Sequence, residues 1–504
     1  MKCKNACLVI NPRDGQNLAN LTSITAILAA ADWNTDIFIK EYPGHTMELA
    51  MRAAKKDYDL LIAYGGDGTV NQVVNGVMTS KKSIFGTIPG GTVNQWAAEM
   101  GIPLDPVKAT LALINSDVRN IDVGHIQVER LAFPSSERKH RHSKKKELGK
   151  QKAEATQAKH YFLLSAGFGI DAAVMGFVNK TLKHRVGLVA VGLAAAKALP
   201  AQRPFPIEIR VIDGTPNSPR YWRGEAIQVV ISNTRRYANV VDMTPGAYVD
   251  DGILDACVIT AGDPLSTVQQ LTSIFLQGKP HDVTAEYFRG PHLFVTVPAS
   301  IDFHLEGSTV KLRDYLDDSD RQALKKAQDL EQVMVTYRFD AVPGALQAAI
   351  PAAYNNTLFS PPLDASALQE TSSEAPGAED QLHDPPDNNS AQTTVKQSAT
   401  VQPERPERVH TLIEKGRKVT IVGAIPHPNK HNAYIIAGIE LKQITGESKP
   451  VAVYIDEHTM LIKHTGEHQP STALLSIQEG EEIVVKGNKS RRSVIYAKRV
   501  MISD

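Results

Sequence analysis

The stretch IAYGGDGTVNQVVNG at residues 62–76 places three glycines and one acid between a short apolar run and an amphipathic segment. Gly65, Gly66 and Gly68 surround Asp67, and the valines that follow are spaced like the buried face of a helix. Because glycine tolerates tight turns, a plain turn is one interpretation. The other is an anion site, because backbone N–H groups and the dipole at a helix N-terminus attract phosphate. We favour a phosphate-binding loop, with Mg²⁺ expected near the embedded acid.

The surroundings of this loop alternate between strand-like and helix-like segments over residues 1–125. They predict an N-terminal parallel α/β nucleotide-binding domain, in which ligands bind beyond the carboxyl ends of the strands. Two further loops, NPRDG at 11–15 and PGGTVN at 89–94, follow predicted strands in the same way. We expect all three loops to converge on one phosphate group.

From about residue 120 the pattern changes to strands and turns. It predicts a mainly antiparallel β-rich domain over residues 126–352, with a basic insertion at 134–159 and a charged helical insertion at 311–332. The basic insertion is either a solvated loop or a contact for anionic lipid headgroups through residues 138–152.

The C-terminal part divides into a polar segment and a second run of strands. Residues 353–408 have almost nothing to bury and predict a disordered linker. Residues 409–504 contain five or six short strands that predict a separate small β-barrel-like domain, with a pattern that resembles OB-fold modules. The basic residues of 486–492 either solvate a loop or contact an anionic partner. We expect the barrel and the preceding domains to fold separately.

The overall composition restricts the partners and the compartment. The chain of 504 residues has 55 Lys+Arg and 55 Asp+Glu, so its bulk charge indicates neither a nucleic-acid nor a membrane partner. Three cysteines give no disulfide framework and the N-terminus resembles no signal peptide, which predicts a cytoplasmic protein. The longest apolar stretch, at 186–199, is too short to cross a bilayer. We favour a packed helix there over a surface that touches lipid. The sequence does not indicate an oligomeric state.

Six motifs in a fixed order resemble the diacylglycerol kinase catalytic-domain family, which includes bacterial lipid kinases and sphingosine kinases. They are NPRDG, GGDGTVNQVVNGV, GTIPGGTVNQWAAEMGIP, RNIDVGHI, SAGFGIDAAV and DDGILDACVI. The resemblance covers residues 5–309 and resumes at 342–351. It implies transfer of the ATP γ-phosphate to a lipid hydroxyl, such as that of diacylglycerol or a sphingoid-like lipid, with Mg²⁺ as cofactor. It also implies a peripheral encounter with the lipid at the inner membrane surface.

The resemblance assigns site residues position by position. Nucleotide-phosphate contacts are implied for Asn11, Arg13, Gly15, Lys40, Gly65, Gly66, Asp67, Gly68, Thr69, Thr92 and Asn94. Asp122 would help to hold a metal–water network, and Asp251 would form a second, structural Mg²⁺ site with the carbonyls of Tyr248 and Ile253. A plainer interpretation of both acids is that they cap turns.

The sequence departs from the family pattern where the acceptor base is expected. The family's Asp-Gly-Glu triplet reads Glu306, Gly307 and Ser308 here. Glu306 is therefore the first candidate for the base that takes the proton of the acceptor hydroxyl, and Asp67 is the second. The family's Gly-Thr-Gly-Asn-Asp reads GTVNQ at 91–95, and Lys40 stands where the family often has threonine.

Three functions follow from these observations. The first is an active lipid kinase, because the phosphate-handling motifs are complete. The second is a kinase of a soluble substrate like the NAD kinases, which share the GGDGT loop. The third is a catalytically silent module that binds a nucleotide or a lipid, for which Ser308 is the main argument.

Overall fold

The computed structural model describes five stretches of the chain. They are residues 4–134 apart from 14, 57 and 80–82; 160–169; 204–260 apart from 238 and 240; 285–361; and 416–502 apart from 442–446, 464 and 466. The predicted lipid contact at 138–152, the predicted helix at 186–199 and most of the predicted linker lie outside these residues.

The N-terminal domain is a parallel sheet covered by helices, as predicted. Its strands are β1 (Asn5–Ile10), β2 (Asn34–Ile39), β3 (Leu60–Gly65) and β4 (Ile84–Pro89), in the spatial order β4-β3-β1-β2. Its helices are α1 (Leu21–Ala30), α2 (His45–Ala54), α3 (Asp67–Val77), α4 (Gln95–Glu99) and α5 (Pro106–Ile114). All six residues of β3 are buried, as expected for a central strand with helices on both faces of its sheet.

The second domain is mainly antiparallel, which confirms the sequence prediction. Its strands are β5 (Ser116–Ala132), β6 (Tyr161–Phe162), β7 (Ser165–Gly169), β8 (Phe205–Ile212), β9 (Arg220–Ser232), β10 (Arg236–Tyr237), β11 (Val241–Asp242), β12 (Leu254–Thr260), β13 (Ala285–Gly290), β14 (His292–Pro298), β15 (Phe303–Leu305), β16 (Ser308–Val310) and β17 (Met334–Pro351). The charged insertion is helical as predicted, with a short 3₁₀ turn at Leu312–Tyr315 and helix α6 at Asp318–Lys326.

Two long strands join these domains. Strands β5 and β17 pair antiparallel along almost their whole length, and Ala348 near the end of β17 pairs with Phe85 of β4. Both domains therefore share one continuous sheet. The side chain of Asn71 on α3 also donates to the Tyr161 carbonyl at 2.8 Å, so the helix after the glycine loop is held against the β domain.

The C-terminal domain is a closed barrel, as predicted. Its strands are β18 (Arg417–Pro426), β19 (Tyr434–Leu441), β20 (Ser448–Ile455), β21 (Met460–Lys463), β22 (Glu482–Lys489) and β23 (Val494–Ile502). Five of them follow the order β20-β19-β18-β22-β23, and parallel pairing of β20 with β23 closes the barrel.

The barrel packs on the kinase-like part of the chain through its outer surface. Ile435, Tyr454 and Val494 belong to the same buried apolar cluster as helix α1. The Lys430 ammonium lies 2.6 Å from the Asp32 carboxylate just beyond that helix. The α/β domain and the barrel therefore share buried apolar surface, which the sequence did not predict.

The packed part of the second domain extends past the predicted boundary at residue 352. Leu358 is 2% exposed and Phe359 is 4% exposed, and both belong to the main apolar cluster. The Ser360 backbone N–H donates to the Asp250 carboxylate at 2.7 Å. Residues 353–360 are therefore part of the folded core, and any linker begins after them.

Candidate active site

Three loops meet at the carboxyl edge of the parallel sheet, as the sequence predicts. The Asn11 amide, after β1, lies 3.3 Å from the Thr69 hydroxyl, after β3. The Arg13 guanidinium donates to the Thr92 hydroxyl, after β4, at 3.0 Å. Side chains thus connect the loop after β1 to the other two loops.

The glycine positions in these loops differ in whether the fold itself requires glycine. A methyl group on Gly91 would lie 2.3 Å from the Gly66 Cα, so contact between two loop backbones requires glycine there. Gly15 has φ of 90°, a conformation that favours glycine. Gly68 has neither constraint, because its backbone is helical and a Cβ would meet no described atom within 4 Å. Open space above a glycine in the first turn of a helix permits close approach of a ligand.

Asp67 is a half-buried acid that joins two of the loops. Its carboxylate accepts a hydrogen bond at 3.1 Å from the Trp96 backbone N–H in the first turn of α4. Burial raises the pKa of Asp67, whereas backbone N–H groups of Gln95 and Trp96 oppose that shift. Asn94 shapes the same loop, because it has φ of 50° and its side chain accepts from the Gly91 N–H at 2.8 Å.

Two cationic residues lie at the same edge of the sheet. Arg13 is exposed and has φ of 45°. Lys40 directly follows β2, and its backbone N–H donates to the Ile10 carbonyl at 2.9 Å, next to Asn11. Cations beside a phosphate-binding loop increase its attraction for an anion.

Glu306, the first candidate base, is anchored by backbone N–H groups. It forms the tight turn between β15 and β16 with Gly307, and the two residues have φ of 51° and 68°. Its Oε1 accepts from Leu163 N at 2.5 Å and from Leu164 N at 2.9 Å. Glu306 is 8% exposed, so this carboxylate has a structural task whether or not it acts as a base.

Ser308, which replaces the family's acid, begins strand β16 and is exposed. It pairs with Leu305 across the hairpin. Its position at the surface leaves room for a longer side chain, which makes it a suitable place to restore a carboxylate.

Asp122 occupies the position predicted for a metal–water network. Its two carboxylate oxygens accept backbone N–H bonds from Gly252 at 2.6 Å and Gly344 at 2.7 Å. It is 1% exposed, and burial raises its pKa while these two donors lower it. The geometry matches the alternative interpretation, in which this acid caps turns.

Two of the residues predicted for a second Mg²⁺ site, Asp251 and Tyr248, contact arginine side chains. Asp251 Oδ1 accepts from the Ile253 backbone N–H at 3.1 Å, and Asp251 Oδ2 accepts from Arg289 at 2.9 Å. The Tyr248 ring lies 4.8 Å from the Arg235 guanidinium. Among the described residues, no group of three or more acids, histidines or cysteines is placed to hold a metal ion. This donor set does not fit a structural Mg²⁺.

Several buried amides that position the site were missed from the sequence. Asn75 on α3 accepts from the His160 and Tyr161 backbone N–H groups at 3.0 and 3.1 Å. Asn233 donates to the Asp122 carbonyl at 3.0 Å and to the Leu163 carbonyl at 3.3 Å. The two asparagines in NQVVNG are four residues apart, and polar residues at that spacing within a buried helical stripe were a usable signal.

A nucleotide with its Mg²⁺ fits the three-loop edge. Gly68 offers an open approach, and Arg13 and Lys40 offer positive charge. Mg²⁺ usually takes most of its ligands from phosphates and water and needs only one or two carboxylates from the protein. Asp67 directly precedes Gly68 in the sequence and would supply such a carboxylate.

An α/β domain and an antiparallel β domain share one sheet, and three loops meet at the carboxyl edge of its parallel strands. Residues 5–126 match the model of the diacylglycerol kinase catalytic domain. Residues 165–308 match the model of the YegS C-terminal NAD kinase beta sandwich-like domain. Over these two segments the chain is therefore similar to the diacylglycerol kinase catalytic-domain family. Both matches end before the barrel.

Two diacylglycerol kinases and one solved structure are similar to parts of this chain. The chain is 26% identical to the diacylglycerol kinase of Bacillus subtilis (strain 168) over 309 residues, which are 60% of this chain and 89% of that protein. It is 28% identical to the diacylglycerol kinase of Staphylococcus aureus (strain Newman) over 259 residues, which are 51% and 70% of the two chains. A crystal structure of a diacylglycerol kinase from Bacillus anthracis aligns with a TM-score of 0.48 and 17% identity, over 71% of this chain and 99% of that one.

The described residues include no helix that is both long and apolar enough to cross a membrane.

Proposed function

We propose that this protein is an ATP- and Mg²⁺-dependent lipid kinase. The observation that carries the proposal is Gly68, whose position in the first turn of α3 has open space above it and no backbone need for glycine. A glycine that the protein's own packing does not require is explained by a ligand that approaches the backbone. Phosphate is the ligand that a helix N-terminus at the carboxyl edge of a parallel sheet favours.

The proposed chemistry depends on position and charge more than on covalent catalysis. Phosphoryl transfer needs metal ions and N–H donors around the phosphates, and an acceptor oxygen in line with the γ-phosphate. In this chain the loop of residues 65–69 would hold the phosphates, Arg13 and Lys40 would neutralise charge, and Asp67 would orient the bound Mg²⁺. Glu306 would take the proton of the acceptor hydroxyl, because it matches the family's base by motif position.

The proposed acceptor is a lipid hydroxyl at a membrane surface. The names of the relatives support diacylglycerol as the first acceptor to test, and a sphingoid-like lipid is the second. We propose peripheral contact with the membrane, for which anionic headgroups are the natural partner of the basic segment at 138–152.

One experiment tests the activity. The full chain is incubated with γ-labelled ATP, Mg²⁺ and vesicles that contain diacylglycerol, and label is then counted in the organic phase. Transfer that requires both the lipid and Mg²⁺ supports the proposal. Label that enters the water phase only when NAD is added would instead favour a soluble-substrate kinase. The match of residues 165–308 to a NAD kinase beta sandwich-like domain is the reason to include NAD in the assay.

A catalytically silent binding module is the second candidate. Two observations favour it: Ser308 replaces an acid, and the Glu306 carboxylate is engaged by two backbone N–H groups. This candidate predicts that ATP binds but that no label reaches any lipid or soluble acceptor.

A further inference from the structure

The acidic turn of residues 246–255 holds an arginine from the neighbouring strand. Asp255 on β12 and Arg289 on β13 are direct partners in the antiparallel register. The Arg289 Nε lies 2.7 Å from Asp255 Oδ1, and its Nη2 lies 2.9 Å from Asp251 Oδ2. Nη2 also donates to the Gly246 carbonyl at 3.0 Å. One guanidinium therefore joins two carboxylates and a backbone carbonyl.

The two carboxylates need a nearby positive charge. Asp255 is 5% exposed, and its Oδ2 is buried with no hydrogen-bond partner among the described residues. A buried carboxylate is costly unless it is paired. Two further acids lie nearby. Asp250 belongs to the turn itself, and Asp122 accepts a hydrogen bond from the Gly252 N–H of the turn.

The contacts of Asp251 and the charge of Arg289 oppose the binding of a divalent cation at the same place. Asp251 presents one oxygen to the Ile253 N–H and the other to Arg289. Mg²⁺ requires close to octahedral ligands at about 2.1 Å. A dication bound to Asp251 would lie beside the fixed positive charge of Arg289, and the repulsion would oppose its binding.

We propose that Arg289 does the work of a structural metal ion in this chain. Its guanidinium pairs with both Asp251 and Asp255 and links them to Gly246. Because arginine remains protonated at every accessible pH, this link does not depend on the supply of a divalent cation. Through Gly252, the same turn reaches Asp122 on β5, which also accepts from Gly344 on the paired strand β17. Arg289 is thus a positioning residue, and the proposal does not rest on the proposed kinase activity.

The test compares thermal unfolding of the full chain in EDTA and in excess Mg²⁺, without nucleotide so that no metal enters with ATP. The unfolding temperature of the wild type is expected to agree within about 1 °C between the two conditions. Arg289→Met keeps the aliphatic stem and removes the charge, and it is expected to unfold roughly 5 °C lower in EDTA. Excess Mg²⁺ should recover part of that loss, because the vacated carboxylates then face an open site.

The matched control is Arg223→Met, which removes an exposed arginine paired with Glu208 on neighbouring strands. It should change little in either condition. A wild type that loses stability in EDTA and regains it with Mg²⁺ would overturn the proposal. So would an Arg289→Met variant that behaves like Arg223→Met. If Arg289→Met does not fold, the response of the wild type to EDTA still decides the question, and Arg289→Lys tests whether a charge without the forked donors suffices.

Discussion

The Asp67 carboxylate accepts a hydrogen bond from the Trp96 backbone N–H at 3.1 Å, which fixes the glycine loop to the first turn of α4. Asp67 therefore has two tasks: it caps one helix, and in the proposed mechanism it orients the metal–phosphate unit. Substitutions that keep the hydrogen bond to α4 but remove the charge can separate these two roles.

Asp67→Asn retains an oxygen that can accept from Trp96 and removes the charge. We expect turnover to fall on the order of a hundredfold, comparable to the loss of one strong electrostatic contact in the transition state, with little change in unfolding temperature. Asp67→Ala should lose the same turnover and also about 1 kcal/mol of stability, because the cap is removed. Lipid-kinase assays beside thermal unfolding measure both effects. Near-normal turnover of Asp67→Asn would show that this acid does not serve the reaction.

The base at the acceptor hydroxyl can be tested at Glu306. Glu306→Gln keeps an oxygen for the Leu163 and Leu164 N–H groups, so the turn should hold while the base is lost. Turnover should fall about 10²–10⁴-fold with ATP affinity unchanged. Glu306→Ala serves as the structural comparison, because it leaves those two N–H groups without their acceptor and should lower stability as well.

Ser308→Glu restores the family's acid at an exposed position. If the wild type is active, the turnover of Ser308→Glu should equal or exceed that of the wild type. A silent wild type that gains activity from this substitution would support the binding-module alternative. An active wild type that is indifferent to Glu306→Gln would move the base to Asp67 or to water.

Removal of the barrel should destabilise the rest of the chain. A shortened chain of residues 1–361 would expose the apolar surface of α1 that Ile435, Tyr454 and Val494 cover. We expect a lower unfolding temperature and aggregation, measured by thermal unfolding with light scattering. A milder comparison is Lys430→Ala in the full chain, which removes the contacts of this ammonium with Asp32 and with the Tyr454 ring. A shortened chain that stays monodisperse and unfolds at the wild-type temperature would restore the sequence-based expectation of independent halves.

Asp255 should make the stability of the protein depend on pH in a defined window. Burial raises the pKa of its carboxyl from 3.8 to about 6, against the opposing effect of Arg289. The folded state then holds the proton more tightly than the unfolded state, so the contribution of this group to stability falls as pH rises from about 4 to about 6. The shift corresponds to about 3 kcal/mol.

Chemical denaturation of Asp255→Asn and wild type at several pH values tests this dependence. The free energy of unfolding of the variant, relative to wild type, should rise as pH increases through that window. Asp213→Asn is the control of opposite sign, because hydrogen bonds from Thr215 lower the pKa of Asp213. A flat difference for Asp255→Asn would contradict the assigned shift.

Local patterns were sufficient to predict most strands and the convergence of three loops. Each loop follows a buried strand, and parallel strands bring their carboxyl ends to one edge, so the contact between Asn11 and Thr69 was predictable. The five or six short strands separated by turns likewise predicted a small barrel, and the structure shows that it is closed. In contrast, helix α5 and strand β13 were not predicted.

Contacts between distant segments were not predictable in the same way. Nothing local to Glu306 indicates that its carboxylate meets the backbone of Leu163, because that pairing depends on how β15 packs against β7. The pairing of Arg289 with Asp255 depends on cross-strand register. The barrel attaches to α1 through an apolar patch on its outer surface. The strand pattern of the barrel does not indicate which other element covers that patch.

The central claim is that Gly68 is glycine because a phosphate approaches it, and two alanine substitutions on one helix test it most directly. Gly76→Ala would place a methyl group 2.4 Å from the Ala50 Cβ, so it should lower the unfolding temperature. Gly68→Ala meets no described atom within 4 Å and should keep or raise stability, by up to about 1 kcal/mol from helix propensity. ATP titration in the presence of Mg²⁺ should nevertheless show Gly68→Ala binding at least roughly tenfold more weakly than wild type, a loss of about 1.4 kcal/mol. A stable Gly68→Ala variant that binds ATP as tightly as the wild type would contradict the assignment of this loop as the phosphate site.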